Sequence, residues 1–342
     1  MTKLTTTSPG KKIRVFSGIQ PSGAFTLGNY LGAIRQWVAG LEEKENFFCI
    51  VDLHTITVPQ EPQDLLRRTR EMAAILIACG LDPQKCTLFV QSHVAAHTEG
   101  CWILNCVTPV GWLERMTQYK LKAQQQESVS TGLLDYPVLQ AADILLYDSD
   151  EVPVGEDQKQ HVELTRDIAQ RFNNLYGETF VVPKPVIPKI GARIKALDDP
   201  TSKMSKSKAH IRLHAICLAD EPDEIRYVIK RAVTDVGREI VFNDAPEKAG
   251  VNNLLEIYEL LTGERRDAIE AHFAGKGYGH LKQEIADVVI EALRPIRERY
   301  LALIADPAEL DRLLATGAER ARAVADPKIR EVKRKVGFIV TE

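Results

Sequence analysis

Three short apolar runs, Ile13 to Ser17, Phe47 to Leu53 and Cys86 to Gln91, alternate with segments whose apolar positions recur every three or four residues. Continuous runs of this length suit strands buried on both faces of a parallel sheet. Between the first two, Leu27, Tyr30, Leu31, Ile34, Val38 and Leu41 fall on one stripe of a helix. A second helix is predicted from about Gln63 to Cys79, closed by Gly80 ahead of Asp82-Pro83. Strand, helix, strand, helix, strand specifies an α/β fold with a doubly wound parallel sheet. Ligands of such sheets bind beyond the carboxyl ends of the strands.

From about Ala95 to Asp148 the pattern is helical with no intervening strand, which reads as an insertion at about 95–150. Within it Ala123 to Thr131 is polar, the composition of a mobile segment. Val152-Pro153-Val154-Gly155 returns to the sheet and a helix follows from about Asp157 to Leu175. Beyond Ser207 only helices are expected, near 221–233, 251–261, 264–273, 280–304, 308–315 and 317–335, parted by Gly, Pro or Asp-Pro. The expected organisation is a polar leader (1–12), a Rossmann-like domain (13–207) carrying the insertion, and an all-helical domain (208–342).

A chain of 342 residues has the length for a large domain and a smaller one. No run approaches 18 apolar residues, so no membrane span is expected, and Met1 to Lys12 lacks the apolar core of a signal peptide. Six cysteines without a Cys-x-x-Cys pair argue against a zinc site or disulfide framework and for the reducing cytoplasm. A net charge of −3 gives no overall basic field and no expectation of DNA binding. Locally, Arg320, Arg322, Lys328, Arg330, Lys333, Arg334 and Lys335 crowd the last segment, either a solvated helix face or a contact for RNA phosphate.

Four stretches carry candidate chemistry. Lys203-Met204-Ser205-Lys206-Ser207 concentrates ammonium and hydroxyl groups suited to charge developing on a phosphate leaving group. Gly18-Ile19-Gln20-Pro21-Ser22-Gly23 leads to Thr26-Leu27-Gly28-Asn29 at a helix start, where free N–H groups favour phosphate. That loop is neither a Walker loop nor Gly-x-Gly-x-x-Gly. In Val152 to His161, Asp157 has the spacing of a helix cap as well as of a ligand contact. On the segment Tyr136 to Tyr147, Tyr136, Gln140 and Asp143 share a helical face, and Asp143 lies among Ala, Ile and Leu. A carboxylate there needs a partner, from the protein or from a ligand N–H.

In order and wording these stretches resemble the class I aminoacyl-tRNA synthetases, and the bacterial tryptophanyl-tRNA synthetases in particular. The resemblance spans roughly residues 13–336. It implies a homodimeric ligase that condenses L-tryptophan with ATP and passes the product to tRNA(Trp), with Mg²⁺ bound through the ATP phosphates and no protein metal site. For ATP it implies Gln20, Pro21, Ser22, Gly28, Asn29, Gly155, Glu156, Asp157, Ile194 and the loop Lys203, Met204, Ser205, Lys206 and Ser207. Lys203, Lys206 and Lys122, with Thr26 and Asn29, would be the catalytic groups. Tryptophan would meet Phe16, Val51, His54, Tyr136, Gln140, Asp143 and Gln158, with Asp143 accepting the indole N–H. Gln140 stands where bacterial tryptophanyl enzymes often carry methionine, and Tyr-x3-Gln-x2-Asp is also similar to the substrate helix of tyrosyl-tRNA synthetases. A tyrosine ligase and a non-catalytic paralogue are the alternatives. Lys208 to His214 departs from the family's usual continuation.

Overall fold

The computed structural model describes residues 12–124, 128–155, 158–187 and 193–340, apart from the side chains of Lys122 and Ser207. Among these residues five strands form one parallel sheet: β1 (Arg14–Ile19), β2 (Glu45–Ile50), β3 (Thr87–Val90), β4 (Glu151–Pro153) and β5 (Lys184–Val186). Their order is β3-β2-β1-β4-β5, the reversal at β1 that defines a doubly wound sheet. Three of the strands fall where the apolar runs lie. β2 stops at Ile50, and Asp52–Thr55 turns into a short helix instead of extending the strand. β5 was not expected, because Lys-Pro-Val is too short and too proline-bearing to read as a strand.

The helices of the first half are α1 (Leu27–Asn29), α2 (Arg35–Ala39), α3 (Asp52–Thr55), α4 (Pro62–Ala78), α5 (Ala96–Asn105), α6 (Val110–Glu114), α7 (Thr117–Ala123), α8 (Thr131–Leu145) and α9 (Lys159–Tyr176). A π-helical turn, Tyr30–Ile34, joins α1 to α2, so the predicted first helix is continuous but locally widened. Helices α5 to α8 form the insertion. The second half holds α10 (Pro222–Arg231), α11 (Ala249–Thr262), α12 (Arg266–Phe273), α13 (Tyr278–Ala305) and α14 (Pro307–Lys335).

Alternation along the strands sends successive side chains to opposite faces. Phe48, Ile50, Leu88 and Val90 face a core shared with α4 and α10 to α13. Phe16, Phe47, Cys49, Phe89 and Val152 face a second core closed by α5, α8 and α9. Helix α14 joins both: Leu310 and Leu314 enter the first, whereas Ala318, Ala321, Ala325, Ile329 and Val332 enter the second. It passes edge strand β3 at Gly317, where a Cβ would lie 1.8 Å from the Leu88 carbonyl oxygen. The two helices expected on either side of residue 316 are therefore one. Gly317 is a point of contact inside a continuous helix, not a break.

Four of the basic side chains of α14 meet partners within the protein. Arg320 donates to the Pro83 carbonyl, Arg322 to His93 (2.9 Å) and Lys328 to Thr179 (2.9 Å), while Lys333 pairs with Glu99 (2.7 Å). These four tie the helix to the rest of the fold, while Arg330, Arg334 and Lys335 of the same run are exposed.

Candidate functional site

Strands β1 and β4 share a single registered pair, Val15 with Glu151. A cavity of about 340 Å³ opens at this switch point, within the size range of small-ligand sites. Phe16 and Gly18 of β1, Val51, His54 of α3, Tyr136, Gln140 and Asp143 of α8, and Gln158 line it. The structure thus gathers all seven residues named for the amino acid, drawn from segments up to 142 positions apart (16 to 158). Gln20 and Gly155 reach the same cavity from the nucleotide set.

Asp143 is 1% exposed and has three protein partners. His54 Nε2 lies 2.8 Å from Oδ2, while Gln91 Nε2 (2.7 Å) and His97 Nδ1 (2.6 Å) both meet Oδ1. Burial works to raise this carboxyl, but the hydrogen bonds from His54 and His97 outweigh it and hold the group well below the usual carboxylate range. Asp143 is therefore ionised at neutral pH, an acceptor in the cavity wall beside His54. On the same face, Tyr136 Oη lies 2.8 Å from His161 Nε2, and burial pushes its phenol up to about 12. Gln91, His97, Tyr147 and His161 were not anticipated. Gln91 offered a signal, a polar group closing the apolar run of β3. The others had none, since each meets its partner across at least 25 positions.

The nucleotide set is arranged differently. Thr26 caps α1 in a reciprocal box: its Oγ1 accepts from the Asn29 N–H (3.3 Å), and Asn29 Oδ1 accepts from the Thr26 N–H (3.0 Å). Leu27 N–H donates to Ile216 and Leu218 N–H to Phe25, so the loop is clamped to the segment after the lysines. Gly28 is buried beneath Met204, whose Cβ would be 3.3 Å from a Cβ placed there. In this arrangement Met204, not open space for a nucleotide, fills the gap that Gly28 leaves. Gly23, at φ +64°, lies so close to the Lys206 carbonyl that any side chain would collide with it. Ile194 is buried and accepts from the Met204 N–H (3.1 Å), while Pro21 is buried and Ser22 and Ser205 are half-buried.

The two lysines do not reach the switch-point cavity. Lys203 is exposed and bridges to Lys195, whose backbone is held at N–H and carbonyl by Asn253 of α11 (2.7 and 3.1 Å). Lys206 Nζ donates to the Gln20 carbonyl (2.8 Å) and lies 4.6 Å from the centre of the Phe25 ring. It lines a separate cavity of about 780 Å³ with Ser22, Phe25, Arg67, Met72 and Tyr300. Burial lowers its ammonium to about 8. The side chains of Lys122 and Ser207, and all of Glu156 and Asp157, lie outside the described residues.

Residues 8–294 match the family model for class I tRNA synthetases (W and Y). Tryptophan–tRNA ligases of Wolinella succinogenes and Caldanaerobacter subterraneus are 53% and 55% identical over 329 residues, spanning 96% of this chain and 99% of theirs. A Campylobacter jejuni tryptophanyl-tRNA synthetase, crystallised with ADP and tryptophan, superposes with a TM-score of 0.86 at 36% identity, covering 95% of this chain and 100% of that one. A tyrosyl-tRNA synthetase of Aeropyrum pernix shares the fold, with a TM-score of 0.62 at 20% identity. Sheet order, a cavity at the switch point and similarity along nearly the whole sequence agree: the chain belongs to the class I tRNA synthetases of the tryptophan and tyrosine branch.

Proposed function

We propose that this chain, a tryptophan–tRNA ligase, seats the indole of L-tryptophan in the switch-point cavity with its N–H on Asp143. The observation that carries the placement is the ionised Asp143 carboxylate in a wall shared with Phe16, Val51 and Tyr136. An indole supplies a flat apolar body and one donor, the complement of that wall. Gln158 and Tyr136 are in place for the ammonium group.

ATP enters over the Gln20 to Asn29 loop and Gly155, with Mg²⁺ carried on its phosphates as part of the substrate. The tryptophan carboxylate attacks the α-phosphorus in line and pyrophosphate leaves; a hydroxyl at the tRNA 3′ end then takes the acyl group and AMP departs. Positioning and charge stabilisation supply most of the acceleration. Lys203 and Lys206, with Lys122, meet the charge on the pyrophosphate, which requires Lys206 to leave the Gln20 carbonyl. Residues 13–207 form the catalytic domain and the helical region after 208 reads the anticodon of tRNA(Trp) by its splayed bases. The working form is a cytoplasmic homodimer paired through the insertion, where Trp102, Val110 and Leu121 present apolar surface. No described helix is long and apolar enough to cross a membrane.

ATP–pyrophosphate exchange with each of the twenty amino acids tests this reading. Tryptophan should support exchange, with kcat/KM at least about 10³ above tyrosine, because a site built around one buried hydrogen bond rejects misplaced polar groups. Equal values, or a preference for tyrosine, would place the phenol in this cavity and make Gln140 its partner.

A further inference from the structure

Asp143 presents its two oxygens to different surroundings. Oδ2 bonds His54, which lines the cavity, whereas Oδ1 is held by Gln91 and His97, both fully buried and outside the cavity lining. Neither of the two stands free. Gln91 Oε1 accepts the Leu53 N–H of α3 (3.1 Å), the residue next to His54, so one amide ties α3 to the carboxylate. His97 Nε2 lies 2.9 Å from Tyr147 Oη. An ionised carboxylate only accepts, so His97 Nδ1 donates to Oδ1, and in the neutral imidazole Nε2 is then the acceptor for the Tyr147 hydroxyl. Tyr147 is itself buried and stacked at 5.5 Å on Phe16, which lines the cavity.

We propose that Gln91, His97 and Tyr147 are positioning residues that anchor Oδ1 and so aim Oδ2 of Asp143 at the tryptophan indole. This rests on the tryptophan reading given above. Oδ2 has two lone pairs, enough for His54 and an indole N–H together. With Oδ1 saturated, rotation of the carboxylate would break two charge-assisted bonds at once, so the acceptor is fixed before the substrate arrives. His97 contributes through its Nδ1–H alone, and Tyr147 contributes by fixing which nitrogen bears the proton.

The test is pyrophosphate exchange with His97→Ala, His97→Asn and Tyr147→Phe, reading KM for tryptophan and for ATP separately. An asparagine amide places a donor near the position of Nδ1. His97→Ala should raise the tryptophan KM about 10- to 100-fold while the ATP KM stays within about twofold, as expected for one hydrogen bond to a charged group. His97→Asn should recover most of that loss. Tyr147→Phe keeps the stacked ring and should raise the tryptophan KM about three- to tenfold, which carries the test if His97→Ala does not fold. A general packing role predicts instead that both KM values or kcat alone shift, or that Asn rescues nothing, and any of these overturns the proposal. A wild-type enzyme that exchanges with tyrosine and not tryptophan would sink the reading beneath it; normal tryptophan exchange with unmoved variants sinks only this inference.

Discussion

At the switch point, Asp143 is held by Gln91, His97 and His54 from three separate segments, and the residues expected around the amino acid already line one cavity. Across the Gln20 to Phe25 loop, Lys206 instead sits on a backbone carbonyl above Phe25, and Lys203 is exposed. On the proposed function, one half is set before ligand arrives, whereas the other needs its cations moved. The contrast follows from the charges involved. A buried carboxylate is tolerable only when its partners are permanent, while lysines that meet a charge created during the reaction can rest elsewhere until then.

Removing the movable half should do the most damage to rate. Lys206→Ala is expected to lower the activation rate about 10²- to 10³-fold, with tryptophan affinity unchanged, in stopped-flow adenylate formation. A rate within a few-fold of wild type would take Lys206 out of the chemistry and erase the contrast. Removing charge from the fixed half should act on binding. Asp143→Asn, which accepts through its carbonyl but carries no charge, should raise the tryptophan KM about 10- to 100-fold with the ATP KM steady. A matching rise for ATP would show the halves to be one unit.

A pH profile sharpens the comparison. In its proposed role Lys206 acts as the ammonium, so with burial lowering it to about 8 the useful form is full below that pH and lost above it. The kcat/KM for ATP should fall about tenfold per pH unit on the alkaline side. Lys206→Arg should flatten that limb, since a guanidinium stays charged throughout. A wild-type profile level to pH 10 would mean that the lysine is not buried in the free enzyme. The smallest effect concerns the seam between the halves. Gly28→Val would press on buried Met204 and should cost about 1–3 kcal/mol in urea unfolding. An unchanged midpoint would mean that the lysine loop does not rest on α1 in solution.

The sequence made the helices and the first three strands legible because their apolar periods are local. It misled at residue 317, where a glycine that reads as a helix stop serves to let α14 pass so close to β3 that a Cβ there would lie 1.8 Å from the Leu88 carbonyl oxygen. It was silent on β5, three residues with a central proline, and on His97, whose partner Asp143 lies 46 positions away. The basic run of α14 was legible as charge but not as destination: Arg320, Arg322 and Lys328 donate to the carbonyls of Pro83, His93 and Thr179. Spacing brought Tyr136, Gln140 and Asp143 to one face, yet what stands behind that face is long-range and left no trace in local pattern.

Gly317 has a consequence for how the chain is made. Helix α14 fills part of the core on both faces of a sheet whose first strand begins at Arg14, and its residues leave the ribosome after every strand of that sheet. Until then the flank of β3 that α14 will cover, with Phe89 and Leu88 behind it, has no occupant. The nascent chain must carry an open sheet edge for most of its synthesis, the kind of surface that pairs with other chains and that chaperones shield. Completion of the sheet therefore waits for a helix made long after its strands, and loss of α14 would be felt first at the sheet and only then at the active site.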